Sequence, residues 1–88
     1  MREIVPSRQF DRDLKRMVKR GKNPQKLSAV IRKLQTGEEL ERKHRSHPLS
    51  GSWSRYMECH VDPDWLLIYQ LTRTQLNLVR TGSHSDLF

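Results

Sequence analysis

The sequence has a single cysteine, no long apolar run and few acidic residues. Its only thiol, Cys59, excludes an internal disulfide and is typical of a protein kept in a reducing cytosol. No apolar stretch approaches the roughly 20 residues that a membrane-spanning helix needs. Residues 1–5 lack the pattern of a signal peptide. We therefore expect a cytoplasmic protein that does not associate with a membrane.

The shortage of acidic residues leaves a strongly basic chain. Ten Asp and Glu stand against 17 Lys and Arg, which gives a formal net charge of +7. A surface with this excess attracts polyanions and speeds their encounter. The charge is compatible with a nucleic-acid substrate, an acidic protein partner or a generically basic protein, and by itself it does not choose among them.

The length predicts one domain that spans residues 1–88. A chain of 88 residues has a small core and no room for a separate cofactor-binding domain. Hydrophobic residues, 34% of the chain, fall in periodic runs, which indicates a folded protein. We expect no cofactor.

The first half of the chain predicts two amphipathic helices. Ser7 can cap the first, which stops at Gly21; Asn23 and Pro24 begin the second, which stops at Gly37. Apolar residues recur at helical spacing in both, namely Phe10, Leu14, Met17 and Val18, then Leu27, Val30, Ile31 and Leu34. These stripes predict a helical hairpin that covers one face of a sheet.

The sheet is predicted from alternation and from one nearly continuous apolar run. Residues 2–5 form a short strand candidate, and residues 53–60 alternate with period two, so that Glu58 and His60 share a face. Residues 65–71 indicate a central strand, and residues 75–80 a third strand of a meander.

These elements predict an α+β fold with the order β-α-α-β-β-β, in which a helical hairpin packs on a small, mainly antiparallel sheet. Residues 81–88 are too short and too rich in Gly and Ser to predict another element, and we expect a tail held by the sheet.

Four groups with titratable side chains should meet at one end of the meander. His60 and Asp64 flank one turn, His84 follows the third strand, and His47 can reach the same end from a loop. This cluster has three possible uses: catalysis, zinc binding or a binding surface without catalysis. The His-x-x-His spacing of His44 and His47 is weak evidence for zinc.

Two histidines suit the cleavage of RNA, because imidazole titrates near neutral pH and can serve as base or acid. One group removes the proton of the 2′-OH, which attacks the adjacent phosphorus, and the other protonates the departing 5′-oxygen. A cation stabilises the charge on the phosphoryl oxygens, and the reaction needs no metal.

Three ordered motifs carry a resemblance to a known family. They are residues 47–53 (HPLSGSW), residues 60–65 (HVDPDW) with Leu67-Ile68-Tyr69 after them, and residues 80–84 (RTGSH) followed by Leu87-Phe88. Together with the length and the element order, they resemble the YafQ branch of the RelE-type bacterial toxins.

The resemblance implies a RelE-like fold and a ribosome-dependent endoribonuclease that cuts messenger RNA in the ribosomal A site. It implies three partners: messenger RNA, the ribosome with its 16S rRNA, and an acidic antitoxin that holds the toxin inactive. DNA would be bound only through the antitoxin complex. The alternative is a basic RNA- or DNA-binding module that uses the same surface without cutting. Its candidates for stacking on bases are Trp53, Tyr56 and Trp65, although such aromatic residues more often lie in the core.

The resemblance also implies roles for individual residues. The catalytic group would consist of His47, His60, Asp64 and His84, while Phe88 would position the substrate and Trp65 would support the substrate-binding site.

Within that group, our working hypothesis makes His60, oriented by Asp64, and His84 the proton-transfer pair, with His47 assisting at the phosphate. Arg55 and Arg80 are candidate phosphate contacts, with a structural role as the alternative for each. Glu58 is a further candidate carboxylate.

Overall fold

In a computed structural model of residues 1–88, two helices cover one face of a five-stranded sheet. The elements are β1 (Glu3–Pro6), α1 (Arg8–Lys19), α2 (Pro24–Thr36), β2 (His47–Pro48), β3 (Met57–Asp62), β4 (Trp65–Leu71), β5 (Gln75–Gly82) and α3 (His84–Leu87). Short 3-10 turns at Arg42–His44 and Gly51–Trp53 flank β2. The predicted α+β class and element order are confirmed, with β2 and α3 as additional elements. None of the helices is long and apolar enough to cross a membrane.

The strands are arranged in the order β1-β5-β4-β3-β2. The predicted meander is present, because β3, β4 and β5 pair antiparallel with their chain neighbours. Strand β1 instead pairs parallel with β5, from Glu3 beside Gln75 to Pro6 beside Leu78. The sheet is therefore mixed, with a single parallel pair at one edge.

The two long helices are capped by residues of the types that favour helix ends. Ser7 Oγ accepts a hydrogen bond from the backbone N–H of Phe10 at 2.9 Å, and Asn23 Oδ1 accepts one from the N–H of Gln25 at 2.9 Å. Gly37 ends α2 with φ 81°, a left-handed conformation that glycine adopts without a steric penalty.

The core lies between the helices and one face of the sheet. Its buried members are Phe10 and Met17 of α1, Leu27, Val30 and Leu34 of α2, Cys59 and Val61 of β3, Trp65, Leu67 and Tyr69 of β4, and Leu76 and Leu78 of β5. Val18 does not belong to it and is 44% exposed, contrary to the prediction. The buried polar residue of α1 is Asp13, which bonds to Arg80 of β5.

Two boundaries differ from the sequence prediction. Strand β3 begins at Met57, because residues before it form turns: the N–H of Trp53 donates to Ser50 O and its carbonyl accepts from Tyr56 N–H. The tail also contains a one-turn helix, α3, which Ser83 caps by accepting a hydrogen bond from the N–H of Asp86.

Candidate active site

The predicted titratable residues lie where β3 turns into β4 and where β5 leads into α3. Side chains alternate along a strand, so Glu58 and His60 project from the face opposite to the helices. On that face His60 pairs with the fully buried Leu66, and Glu58 pairs with the fully buried Ile68. An apolar floor therefore lies beside the polar groups of β3.

Asp64, in the turn between β3 and β4, and His84, at the start of α3, form a hydrogen-bonded pair. Asp64 Oδ1 accepts the backbone N–H of His84 at 3.2 Å and lies 3.3 Å from its ring Nδ1. These two contacts hold the pKa of Asp64 below its usual value. Because an ionised carboxylate only accepts, Nδ1 carries a proton in this contact and Nε2 of the exposed His84 ring is left free.

The expectation that Asp64 orients His60 is wrong. His60 Nδ1 lies 3.3 Å from the carbonyl oxygen of Pro63, and no hydrogen bond joins the ring to Asp64. The pairing of β3 and β4 shifts between His60 and Asp62, which changes the path of the chain into the turn. Asp64 therefore meets the residue that follows β5, and not its near neighbour in sequence.

His60 is associated with a different carboxylate, that of Glu58. His47 pairs with Glu58 in the register of β2 and β3, and the Nε2 atoms of His47 and His60 each lie 3.7 Å from the same oxygen, Glu58 Oε1. Glu58 is only 6% exposed. A buried carboxylate thus faces two imidazoles at once, which strengthens the candidacy of Glu58.

The two carboxylate-associated rings of His60 and His84 are tilted neighbours. Their centroids are 6.0 Å apart with planes inclined by 52°. A phosphate between the rings would need a contact distance of about 3.5 Å to each of them. The separation of the ring centroids is too small for both contacts, so a phosphate group does not fit between the rings. A phosphodiester would have to lie over their outer edges, where His84 is open to solvent and His60 is partly so.

Aromatic side chains border the histidines. Phe88 is 60% exposed, with its ring centroid 6.4 Å from that of His84 and 6.2 Å from that of Trp53. Trp53 in turn packs edge-on against Tyr56 at 5.7 Å. An exposed aromatic ring next to an imidazole offers a stacking surface for a base.

Trp65 is fully buried, so it cannot contact a substrate. Its indole Nε1 donates to Thr81 Oγ1 at 2.8 Å, and that hydroxyl donates to the carbonyl of Leu66 at 2.7 Å. Stacking of Trp65 on a base is therefore excluded, and its support of the site is indirect, through the pairing of β4 with β5.

The two candidate phosphate-binding arginines have different surroundings. Arg80 Nε donates to Asp13 Oδ2 at 2.7 Å and Nη2 donates to Asp13 Oδ1 at 3.2 Å. Most of its guanidinium is therefore engaged in a structural contact, which was the alternative to phosphate binding. Burial acts to raise the pKa of Asp13, but hydrogen bonds from Arg80, Gln9 and the backbone N–H of Thr81 keep it below its usual value. Arg55 is exposed in the turn before β3.

Asp13 was missed at the sequence level, although a signal was present. It lies three residues after Phe10 and four before Met17, on the face of α1 that its apolar neighbours predict to be buried. A carboxylate on a buried helical stripe requires a partner, and a basic residue on a strand is a natural one.

The candidate zinc ligands do not converge. His44 Nδ1 lies 2.6 Å from the carbonyl oxygen of His60, while Cys59 is buried on the helical face, where desolvation raises the pKa of its thiol to about 12. No group of three or more His, Cys, Asp or Glu side chains has the arrangement of a metal site.

Comparison with known proteins gives a consistent family match. A model of bacterial toxins of type II toxin-antitoxin systems, YafQ, matches residues 2–88. The mRNA interferase toxin YafQ of Escherichia coli K12 is 42% identical over 88 residues, which cover 99% of this chain and 96% of that protein.

Solved structures agree with this match. The E. coli DinJ-YafQ toxin-antitoxin complex contains a chain that is 42% identical, with a TM-score of 0.91 and coverage of 99% of this chain and 97% of that one. A metal-bound toxin from Helicobacter pylori is 44% identical, with a TM-score of 0.94 and full coverage of both chains.

Proposed function

This chain belongs to the YafQ family of bacterial type II toxin-antitoxin toxins, and we propose that it is an endoribonuclease that cuts messenger RNA on the translating ribosome. The E. coli relative is named an mRNA interferase, which supports an activity on messenger RNA. The basic surface, with a net charge of +7, suits a polyanionic substrate.

The observation that carries the proposal is the placement of two imidazoles with separate carboxylate partners. His84 is fixed by Asp64, His60 lies beside Glu58, and the ring centroids are 6.0 Å apart. A carboxylate that holds an imidazole in one orientation and tautomer prepares it for proton transfer, as in serine hydrolases. Two such rings at one place supply a base and an acid together.

In the proposed reaction, one ring takes the proton of the RNA 2′-OH as the 2′-oxygen attacks phosphorus. The bond between phosphorus and the 5′-oxygen breaks, and the other ring donates a proton to that leaving oxygen. The products are a 2′,3′-cyclic phosphate and a 5′-hydroxyl end. Each proton transfer contributes about a hundredfold to ten-thousandfold in rate.

The surrounding residues position and stabilise the phosphodiester. His47 approaches the shared Glu58 oxygen from β2 and assists at the phosphate. Phe88 offers its exposed ring to a base beside the cleaved bond, and the exposed Arg55 supplies positive charge to the phosphoryl oxygens. Nη1 of Arg80 is not engaged by Asp13 and is a second donor for the phosphate.

The proposed mechanism is independent of metal, because histidine and arginine side chains account for every proton and charge. The purified protein is dialysed against a chelator and then added to ribosomes in a buffer that contains Mg²⁺ as its only divalent metal. It should cleave messenger RNA at the same rate as the untreated protein. Stoichiometric zinc in the protein, with activity that disappears on its removal and returns with zinc, would favour the metal alternative.

The proposed partners are an acidic antitoxin and the ribosome with its 16S rRNA, in the cytoplasm. The E. coli relative has been solved in complex with DinJ, which supports a protein antitoxin for this chain. Contact with DNA would then arise through the antitoxin complex.

The test maps cleavage on translating ribosomes. Primer extension on a messenger RNA should show new 5′ ends at the ribosomal A site with the wild-type chain, and none with His60→Ala or His84→Ala. Both variants should keep the wild-type circular dichroism spectrum and bind the antitoxin. Full activity in either variant removes that histidine from the mechanism.

The same experiment separates the enzyme from a basic binding module. A module would protect or shift the messenger RNA without new ends, and the substitutions would change affinity alone. The structure removes Trp65 from the stacking residues of this alternative, because Trp65 is buried and cannot stack on a base.

A further inference from the structure

Helix α3 carries His84 and is followed directly by Phe88, yet it has only four residues. A single helical turn does not persist in water without tertiary contacts, because nucleation of a helix is unfavourable. The position of both side chains therefore depends on whatever attaches α3 to the rest of the molecule.

Besides the contact of His84 with Asp64, α3 is attached to α1, and that link is made by Asp86. Arg20 Nη1 donates to Asp86 Oδ2 at 2.6 Å, and Arg20 Nη2 donates to Asp86 Oδ1 at 2.9 Å, which is a two-bond contact from the end of α1. Arg16 Nη1 approaches Oδ1 to 3.6 Å. The Asp86 side chain is only 10% exposed, so solvent competes little for these bonds.

The same carboxylate fixes the start of α3. Asp86 Oδ2 accepts the backbone N–H of Ser83 at 2.9 Å, while Ser83 Oγ accepts the N–H of Asp86, which forms a reciprocal capping box immediately before His84. Asp86 also lies against Gly82, where an added Cβ would stand 3.0 Å from the Asp86 Cβ. The backbone on both sides of the catalytic histidine is thus held by one side chain.

Hydrogen bonds outweigh burial in setting the charge state of Asp86. Donation by Arg20, with further donation from Ser83, holds the pKa of Asp86 well below its usual value. Asp86 therefore stays ionised throughout the physiological range, so its charge is available for the contact with Arg20.

We propose that Asp86 and Arg20 are positioning residues for the cleavage reaction: their ion pair anchors α3 on α1 and so sets His84 against Asp64 and opposite His60. This inference rests on the proposed function for its catalytic consequence. Its structural part, the dependence of the His84–Asp64 contact on Asp86, can be measured without any activity.

The informative variants are Asp86→Asn, Arg20→Gln and their combination. Asparagine keeps an oxygen that can accept from Ser83 N–H but loses the ion pair with Arg20. Asp86→Asn also makes the chain more positive than its net +7, so weaker attraction to RNA cannot explain a slower reaction. Asp11→Asn is the matched control, because it removes one negative charge from the exposed face of α1.

In single-turnover cleavage at saturating ribosomes, Asp86→Asn should lower the rate constant by about tenfold to a hundredfold, the size of effect that follows a misplacement near 1 Å. Its KM should rise by a smaller factor than the rate constant falls, since the groups that contact the substrate are still present and only Phe88 among them follows α3 directly. The double variant should be no slower than the slower single one, because both changes break one contact. Asp11→Asn should cleave at the wild-type rate.

Nuclear magnetic resonance of the imidazole nitrogens gives the readout that is independent of activity. The His84 Nδ1–H signal bonded to Asp64 should shift in Asp86→Asn and Arg20→Gln and stay in place in Asp11→Asn. A wild-type chain that does not cut ribosomal messenger RNA would refute the proposed function and leave this measurement to decide the positioning role.

The proposal is overturned if folded Asp86→Asn keeps the wild-type rate constant and His84 signal, or if the effects of the two substitutions multiply independently. Should Asp86→Asn fail to fold, Arg20→Gln decides, because Arg20 is 43% exposed and its truncation leaves the capping box intact. Wild-type rate and His84 signal in that variant would then overturn the proposal.

Discussion

Asp64 contacts His84 twice, at the backbone N–H and at ring Nδ1, although the two residues are 20 positions apart. The pair is formed because the β3–β4 turn and the start of α3 meet at one end of the sheet. It leaves His84 Nε2 free to face a substrate. The remaining site histidines are associated with a second carboxylate, so the candidate active site has two separately oriented parts.

Asp64→Asn tests the first part. The amide can present its nitrogen to the ring and no longer selects the tautomer with a proton on Nδ1, so cleavage should slow by about a hundredfold to ten-thousandfold. The free energy of unfolding should stay close to wild type, because Asp64 is exposed. Single-turnover cleavage and urea unfolding measure the two quantities. Asp62→Asn is the control: Asp62 pairs with Lys26 of α2 at 3.1 Å, and its loss should not slow cleavage.

Glu58→Gln tests the second part. The neutral side chain no longer stabilises a positive ring at His60 or His47, so the cleavage rate constant should fall by about tenfold to a hundredfold. Combined with His60→Ala, the substitution should cost nothing further, because both changes act on the same proton transfer. A multiplied effect in the double variant would mean that Glu58 acts apart from His60.

Arg55→Gln and Arg80→Gln should separate binding from stability. Arg80→Gln removes one of the two arginines that pair with the buried Asp13 carboxylate, the other being Arg16 at 2.7 Å, and should lower the free energy of unfolding by about 1–3 kcal/mol. Arg55→Gln should change it by less than about 0.5 kcal/mol, as expected for an exposed residue, and raise the KM for ribosome-bound messenger RNA. Equal stability of the two variants in urea unfolding would contradict the assignment of Arg80 to the Asp13 contact.

Acid should destabilise the fold through Asp13. Its pKa in the folded protein lies below the ordinary value of 3.8, so the stabilisation is complete above that value and is lost as the pH falls through the lower, folded pKa. Urea unfolding between pH 7 and pH 2 should show a decline that starts near pH 4. Asp13→Asn should be less stable at pH 7 and show a smaller decline; an unchanged pH dependence would exclude Asp13 as a source.

Phe88→Ala should weaken substrate positioning without affecting the fold. The ring is 60% exposed and lies beside His84, so its loss removes a stacking surface but little buried area. We expect a lower kcat/KM by about fivefold to 150-fold, corresponding to about 1–3 kcal/mol of base stacking, with an unchanged Tm. Leu71→Ala, at the opposite end of β4 and 39% exposed, is the control for loss of an exposed apolar side chain.

The elements that the sequence predicted well are those with local causes. Ser7, Asn23 and Gly37 act within one turn of the helices that they limit, and the alternation of β3 to β5 is independent of what surrounds the sheet. The proximity of His47, His60, Asp64 and His84 was also predicted, because the meander brings the ends of its strands together.

The pairings within the site were not predictable in the same way. Whether Asp64 meets His60 or His84 depends on the register shift before the turn and on α3, which was expected to be an irregular tail. A local signal for α3 was nevertheless present, since Ser83 and Asp86 have the spacing of a capping box with Asp in place of Glu or Gln. The role of Arg80 depended on a buried partner in another element, and alternation alone does not reveal such a partner.

The parallel pairing of β1 with β5 has a consequence for the timing of synthesis. Gln75 and Glu3 are 72 positions apart, so β1 has no partner strand until β5 has left the ribosome. His84 follows β5 directly, and its ring is oriented only once α3 can dock on α1. We therefore expect that a partly synthesised chain cannot cut the transcript that encodes it. An antitoxin already present in the cell could then bind the toxin as soon as its fold is complete.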